Sequence, residues 1–399
     1  MMAAGTAAEA GARGLVLDPN RRLGRKLRIT GKGRCNVTNA CAVRDFLQYV
    51  PSNPKFLYSA LNAFSPETAI SFFEGLGVPL KTERGRRVFP VSDNANDIAD
   101  ALENWLQSHS VERRRARADR ILKEDGAVSG VRLGEEVISC RAAILCTGGA
   151  SYPLTGSDGR GYSMARELGH AVTDPEPSLV PLESDDPYCA EMAGFSPRNV
   201  VLSVFEDEKC VFQEHGEMLF AHFGVTGPLV LSASAHMRRF GQCRYSLSID
   251  FKPALSREKL DERILRDFEN NKNRNIANVL PELLPRTMIP VVLRMTRIES
   301  DRKVHSVTKA QREALVACLK AFPVSVKGTR PIAEAIVTRG GVDVRQVDPR
   351  TMGSRIISGL FFAGEVLDVD AYTGGYNLQI ACYHNEHTLP DNHCQSVER

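Results

Sequence analysis

Residues 24–39 read GRKLRITGKGRCNVTN. These sixteen residues carry five basic side chains and three glycines, then close on Cys-Asn-Val-Thr-Asn. A solvated helix face would space its charges and exclude glycine, and a strand would alternate apolar and polar residues. The stretch does neither, so it reads as a loop that holds an anion. Glycine lets backbone N–H groups approach such a ligand. Arg25, Lys26 and Arg34 supply charge, arginine in the forked geometry that phosphate oxygens accept.

Upstream, MMAAGTAAEAG favours a helix by composition, and RGLVLD follows as a short apolar run ending in Asp18. A helix feeding a strand that ends in an acid is the second half of a dinucleotide-binding unit. There the acid bonds a ribose hydroxyl about 20 residues after a glycine-rich turn. Counted back from Asp18, that turn falls just before Met1.

Downstream, helical spacing is expected over 66–77 and 94–107, and short strands over 118–148 with a turn at Glu124-Asp125-Gly126. The strand AAILC then meets the turn Thr147-Gly148-Gly149, and SYPLTGSDGRGYSMARELGH enters a helix through a Gly-rich loop. The prolines of PEPSLVPLE mark a boundary near 175–183. Residues 197–251 alternate as strands, 255–320 read as mostly helical, and the chain turns strand-like again from about 331. It reaches GLFFAGEVLDVDAYTGGYNLQIA, an apolar strand, a Gly-rich turn and the start of a helix.

Three Gly-rich turns, at 31–33, 147–149 and 374–375, therefore adjoin strands or helices. Singly, each serves geometry. Together with Asp18 and the basic loop they suit an extended ligand containing a pyrophosphate. Gly364-Glu365 ends a strand where a carboxylate accepts bonds from polyol hydroxyls. Gly374-Gly375-Tyr376-Asn377 opens a helix whose N-terminus suits the pyrimidine edge of a reduced flavin.

The totals limit the partners. A length of 399 residues predicts two or three domains, and 43% hydrophobic with 25% charged residues is a soluble globular composition. Lys+Arg 51 against Asp+Glu 48 gives +3, so no nucleic-acid partner is expected from charge. Local basic runs at Arg84, Arg86 and Arg87 and at Arg113 to Arg117 are expected on solvated surface. Ten cysteines without a CxxC pair point to reduced thiols in a cytoplasm rather than a zinc ribbon or thioredoxin-like site. No run of about eighteen apolar residues exists, so no membrane span is expected. His384, His387, His393 and Cys394 match no standard zinc spacing, and no metal is expected.

These residues resemble a known family. GRKLRITGKGRCNVTN, GRRVFPVSDNANDIADAL, CTGGASYPLTGSDGRGYSMARELGH, PSLVPL, LFAHFGVTGPLVLSAS and GLFFAGEVLDVDAYTGGYNLQIA look like the BaiN/YhiN-type FAD-dependent oxidoreductases. The resemblance runs from residue 1 to about 381. It implies an α/β fold, a doubly wound Rossmann-like FAD domain formed by both chain ends, with inserted β-barrel-like and helical domains. The expected division is 1–185 with 345–381 for FAD, 186–252 with 325–344 for the β-rich insertion, 253–324 for the helical one, and 382–399 as an irregular tail.

The resemblance puts Asp18 on the adenosine ribose, and Arg25 and Lys26 beside the adenylate and pyrophosphate. Gly31, Gly33, Arg34, Cys35 and Asn36 would approach the phosphates and flavin, although Cys35, with no partner cysteine nearby, reads as packing. Thr147, Gly148 and Gly149 form the second dinucleotide turn, and Gly364, Glu365, Gly374, Gly375, Tyr376 and Asn377 surround the ribityl chain and ring. Tyr162, Asp370 and Tyr372 are further ring-side residues with no catalytic role assigned. The implied activity is hydride transfer through the flavin between a reduced donor, NAD(P)H among the candidates, and a small-molecule substrate.

The chain departs from the family at both ends. The match begins after the strand and GxGxxG-type turn with which the family opens, and ends at Ala381. Beyond it CYHNEHTLPDNHCQSVER shows no helical period. Losing a central strand leaves unpaired edges, so weak FAD retention is expected. A flavin-free remnant without activity is the alternative reading, and a flavoprotein acting on RNA is a third, disfavoured by the charge.

Overall fold

The Ala-rich opening forms the helix Met2–Glu9, which packs flush on the helix Ala95–Ser108. Gly5 lies so close to the Trp105 indole that a Cβ there would sit 2.1 Å from Cζ3. Trp105 Nε1 in turn donates to Glu9 Oε1 at 3.0 Å. Asn94 caps Ala95–Ser108 by accepting from Asn96 N at 3.1 Å, and Ile98, Leu102 and Trp105 form its buried stripe at helical spacing.

In this computed structural model, residues 1–382 are described. The chain divides into two units: Met1–Ser178 with the chain from Ile332 onward, and Leu179–Pro331. The proline-rich boundary thus falls at Ser178. The return is at Ile332 because Val337–Val342 pairs antiparallel with Val172–Ser178 inside the first unit.

Among the described residues the first unit holds four strands in parallel pairs. Leu15–Leu17 pairs with Glu112–Arg114, and Ala143–Leu145 pairs with Leu360–Phe362. They form two separate two-stranded ladders, so among the described residues Leu15–Leu17 and Ala143–Leu145 each have a neighbour on one edge. Thr38–Asn39, Arg87–Pro90 and Leu80–Glu83 make a three-stranded antiparallel sheet, and Arg120–Glu124, Ala127–Leu133 and Glu136–Ser139 another.

The stretch read as a loop begins as a helical turn. The helix Arg25–Gly33 is broken at Thr30, where ψ is 150°, and Gly31, Lys32 and Gly33 then take φ of 58°, 60° and 84°. Left-handed backbone strains residues with a Cβ, so the glycines at 31 and 33 permit the reversal that ends the turn. The basic residues at 25, 26 and 28 thus fall on a helical turn rather than in the loop expected there.

In the second unit, Lys209–Gly216, Val200–Glu206, Tyr245–Asp250 and Phe322–Val326 form a four-stranded antiparallel sheet with alternating burial along Tyr245–Asp250. Leu182–Glu183, Leu219–Ala221, Gly224–Thr226 and Gly328–Thr329 form a smaller one. The helices Arg257–Asn270, Ile289–Met295 and Lys309–Lys320 belong to this same unit, so the β-rich and helical stretches share one body. Among the described residues no helix is long and apolar enough to cross a membrane.

Candidate functional site

Glu365 lies in the 3-10 turn Gly364–Val366, directly after the strand Leu360–Phe362. Lys26 Nζ donates to its Oε2 at 2.7 Å, and Ser151 Oγ and Thr338 N donate to its Oε1 at 3.0 and 2.7 Å. The same ammonium donates to Ser151 Oγ at 2.7 Å, and Thr338 Oγ1 accepts from Ala150 N at 2.8 Å. Four distant segments thereby meet on one carboxylate. A Cβ on Gly149 would lie 2.3 Å from Thr338 Oγ1 and 2.8 Å from Glu365 Oε1, so the turn closes only with glycine there. Ser151 and Thr338 had no signal in the sequence beyond the neighbouring Gly-rich turn.

The other wall joins the two chain ends. Asn39 Nδ2 donates to Gly374 O at 3.1 Å, and a Cβ on Gly375 would lie 2.3 Å from the Thr38 backbone. Asn377 closes its own loop, accepting from Ala371 N at 2.8 Å and donating to Ala371 O at 2.6 Å. Tyr376 is buried, stacked on Tyr49 with centroids 4.7 Å apart and edge-on to Phe46. Behind it, buried Asp370 accepts from Ser178 Oγ at 2.6 Å and from Ser52 Oγ. Tyr162 is buried too, its Oη donating to Glu365 O at 3.4 Å, and burial pushes its phenol up.

Arg34 and Cys35 stand apart, one on the surface and one in the core. Arg34 clamps a surface sheet: Nε donates to Asp93 Oδ1 at 2.9 Å, Glu83 takes its Nη2, and its guanidinium covers the Phe89 ring at 4.2 Å. Glu83 first, then Asp93, raise its pKa further. Cys35 has no exposed surface and packs in the cluster of Phe73, Ile98 and Cys382, where burial pushes its thiol up to about 12. Asp18 is half-buried and accepts from Asn20 N at 2.7 Å, and Arg25 reaches Asn20 Oδ1 at 3.4 Å.

Polar atoms left over test the fit of a dinucleotide. Thr147 Oγ1, Asn36 Oδ1, Thr38 Oγ1 and Gln379 Oε1 are buried with no hydrogen-bond partner. Buried polar atoms are rarely left so, because each forfeits its hydration. These four lie on the Gly-rich turn at 147–149 or where 36–39 meets 374–379, whereas the other two such atoms among the described residues, His170 Nδ1 and Asn275 Oδ1, lie elsewhere. Lys26 keeps one of its three N–H donors. The threonine hydroxyls and the Lys26 N–H can donate to phosphates, and the Asn36 and Gln379 amide oxygens can only accept, so the set fits a ligand with phosphates and a ring that carries N–H donors. Among the described residues no group of three or more potential metal ligands occurs, and the histidines at 384, 387 and 393 with Cys394 lie outside the described residues.

Comparison with known proteins agrees. The chain is 28% identical over 368 residues to the 3-dehydro-bile acid delta(4,6)-reductase of Clostridium scindens, covering 92% of this chain and 89% of the relative. It is 30% identical over 383 residues to the ribosomal RNA dihydrouridine synthase of Escherichia coli, covering 96% and 92%. Among solved structures, GidA of Aquifex aeolicus is similar at 11% identity and a TM-score of 0.37, over 92% of this chain and 57% of that one. The chain thus spans a little over half of that solved protein, and a likeness of that size says nothing of activity. The HI0933-like protein Rossmann domain matches residues 1–385. The chain therefore belongs to this Rossmann-domain family, the BaiN/YhiN-type FAD-dependent oxidoreductases.

Proposed function

We propose that the protein reduces a carbon–carbon double bond conjugated to a carbonyl, with FAD as cofactor and a reduced nicotinamide as donor. The names of the two relatives share that chemistry, one a delta(4,6)-reductase and one a dihydrouridine synthase. The single observation in this chain that carries the reading is the set of unpartnered buried polar atoms, Asn36 Oδ1, Thr38 Oγ1 and Thr147 Oγ1, lining the Gly-rich turns. Bound FAD supplies a two-electron hydride relay. The nicotinamide loses a hydride, and the substrate gains that hydride and a proton.

The chain's own residues hold the cofactor. Lys26 meets the phosphates with its remaining N–H, and Asp18 accepts from the adenosine ribose. Thr147, Gly148 and Gly149 line the pyrophosphate, with Arg25, Gly31 and Gly33 beside it. Asn36, Glu365, Gly364 and Gly374 to Asn377 enclose the ribityl chain and ring. Arg34 and Cys35 hold this wall in place from the surface and from the core.

The test is to purify the full chain, record its visible spectrum, release any flavin by denaturation, and add NADPH or NADH without oxygen. A yellow protein that releases FAD and bleaches with either donor supports the reading. A colourless chain that takes up no added FAD overturns it. That outcome would favour the second reading, a flavin-free member of the family. The separation of the four parallel strands into two ladders is the observation on its side.

A further inference from the structure

The hairpin between Leu80–Glu83 and Arg87–Pro90 turns through Arg84-Gly85-Arg86, so three arginines stand at or beside one tip. All three are exposed. Gly85 and Arg86 are left-handed, at φ of 77° and 59°. The tip is fixed from one side by residues 39 and 40: Asn39 Nδ2 donates to Gly85 O at 3.0 Å, and Ala40 N donates to Arg86 O at 2.8 Å. Arg87 Nε donates to Arg84 O at 3.1 Å, and its guanidinium lies 5.9 Å from the centre of the Phe89 ring.

The acids nearby leave this charge in place. Glu83 and Asp93 are both taken by Arg34 and Lys81. Asp45 faces Arg86 at 3.5 Å, but both side chains are well exposed, and a pair this wet contributes little. Arg84 and Arg87 form no ion pair among the described residues. A merely solvated surface intersperses acids with bases. The Asn39 amide that holds Gly85 O also donates to Gly374 O at 3.1 Å, so the tip adjoins the wall at Gly374–Asn377. Lys26 and the turn at 147–149, which suit the flavin's own phosphates, belong to the opposite wall.

We propose that Arg84, Arg86 and Arg87 bind the pyrophosphate of the nicotinamide donor. This rests on the reading of the protein as a flavin-dependent reductase, in which the nicotinamide lies against the flavin ring and hence beside Gly374–Asn377. One ribose separates a nicotinamide from its pyrophosphate. A phosphate site this near the ring wall therefore takes the pyrophosphate rather than the 2′-phosphate on the far ribose. Guanidinium forks meet phosphate oxygens in pairs, which suits arginines better than lysines to the task. The run at 84–87 is on the surface, as its composition led one to expect, and its position beside Gly374 is what gives that surface a ligand.

The experiment is calorimetric titration of the full chain with NADP+ and, separately, NAD+, oxidised nucleotides that bind without reducing a flavin. Replacing two arginines together, Arg84→Gln with Arg87→Gln, is expected to weaken both nucleotides by the same factor, at least about tenfold, with flavin content unchanged. Bleaching of the flavin by NADPH is expected to need more donor for its half-maximal rate and to keep its maximal rate, the signature of binding lost equally in ground and transition states. Lys209→Gln, an exposed lysine in the other unit, is the control for charge alone. Absence of nucleotide binding, wild-type affinity in the double variant, or equal weakening by Lys209→Gln overturns the proposal. So does inorganic pyrophosphate binding as tightly as either nucleotide, which makes the tip a general anion patch. A loss confined to NADP+ overturns it too, because the 2′-phosphate then occupies the tip. Flavin content on the same samples separates the two readings. A flavin-free chain whose nucleotide binding depends on Arg84 and Arg87 fails the reductase reading and keeps the nucleotide site. A yellow chain that NADPH bleaches, with the double variant at wild-type affinity, fails this proposal alone.

Discussion

Lys26 directs two of its three N–H donors to Glu365 and Ser151, 339 and 125 residues away in sequence. Replacing it with methionine leaves the Glu365 carboxylate with Ser151 and Thr338 N only. The loss of a charge-assisted bond to a part-buried acid is expected to lower stability by about 1.5–3 kcal/mol in urea unfolding. If Lys26 also meets the phosphates, Lys26→Met loses flavin at least tenfold more readily in dialysis. Unchanged retention beside lowered stability would leave it a purely structural residue. The sequence showed that Lys26 sits in a basic, Gly-rich stretch, and Gly-rich turns declare themselves locally. Its partners do not, since nothing near residue 26 encodes Glu365 or Thr338. Arg34 shows the same limit, its charge legible and its engagement with Glu83 and Asp93 not.

At the scale of elements, the helix Met2–Glu9 depends on a contact that composition alone would misjudge. Alanine is favoured over glycine inside a helix by about 1 kcal/mol. At Gly5, however, a methyl would meet the Trp105 ring at 2.1 Å. Overpacking costs about 1–3 kcal/mol, so steric cost wins and Gly5→Ala is expected to destabilise the protein. Trp105 is the single tryptophan, so a shift in its emission reports the displaced ring directly. Helix and strand placement near Met1 was readable because an Ala-rich run and the apolar LVL have opposite propensities. The helical turn at Arg25–Ile29 was hidden because three glycines and five charges in one window dilute its period.

At the scale of the whole molecule, His170 is one group through which pH acts on stability. Its ring is 3% exposed, Nε2 lies 2.8 Å from Ser354 Oγ, and Phe362 packs edge-on at 4.8 Å. Burial lowers its pKa below the ordinary 6.5. Between the two values the unfolded chain binds a proton that the folded chain refuses, so stability falls as pH drops through 6.5 and levels off below the folded value. The slope from this one group is at most about 1.4 kcal/mol per pH unit. His170→Gln should flatten that limb of the urea midpoint against pH, read from Trp105 in the same unit. An unchanged limb would assign it to other groups.

Cys35 has a use that follows from its place in the core. Only a thiolate attacks an alkylating reagent, and burial holds both Cys35 and its cluster neighbour Cys382 as thiols, at about 12. Capture of Cys35 by reagent must therefore wait until the packing around Phe73 and Ile98 parts. Exposed Cys210 reacts without that delay. The lag between the two, followed by mass spectrometry, times how often this half of the chain breathes open.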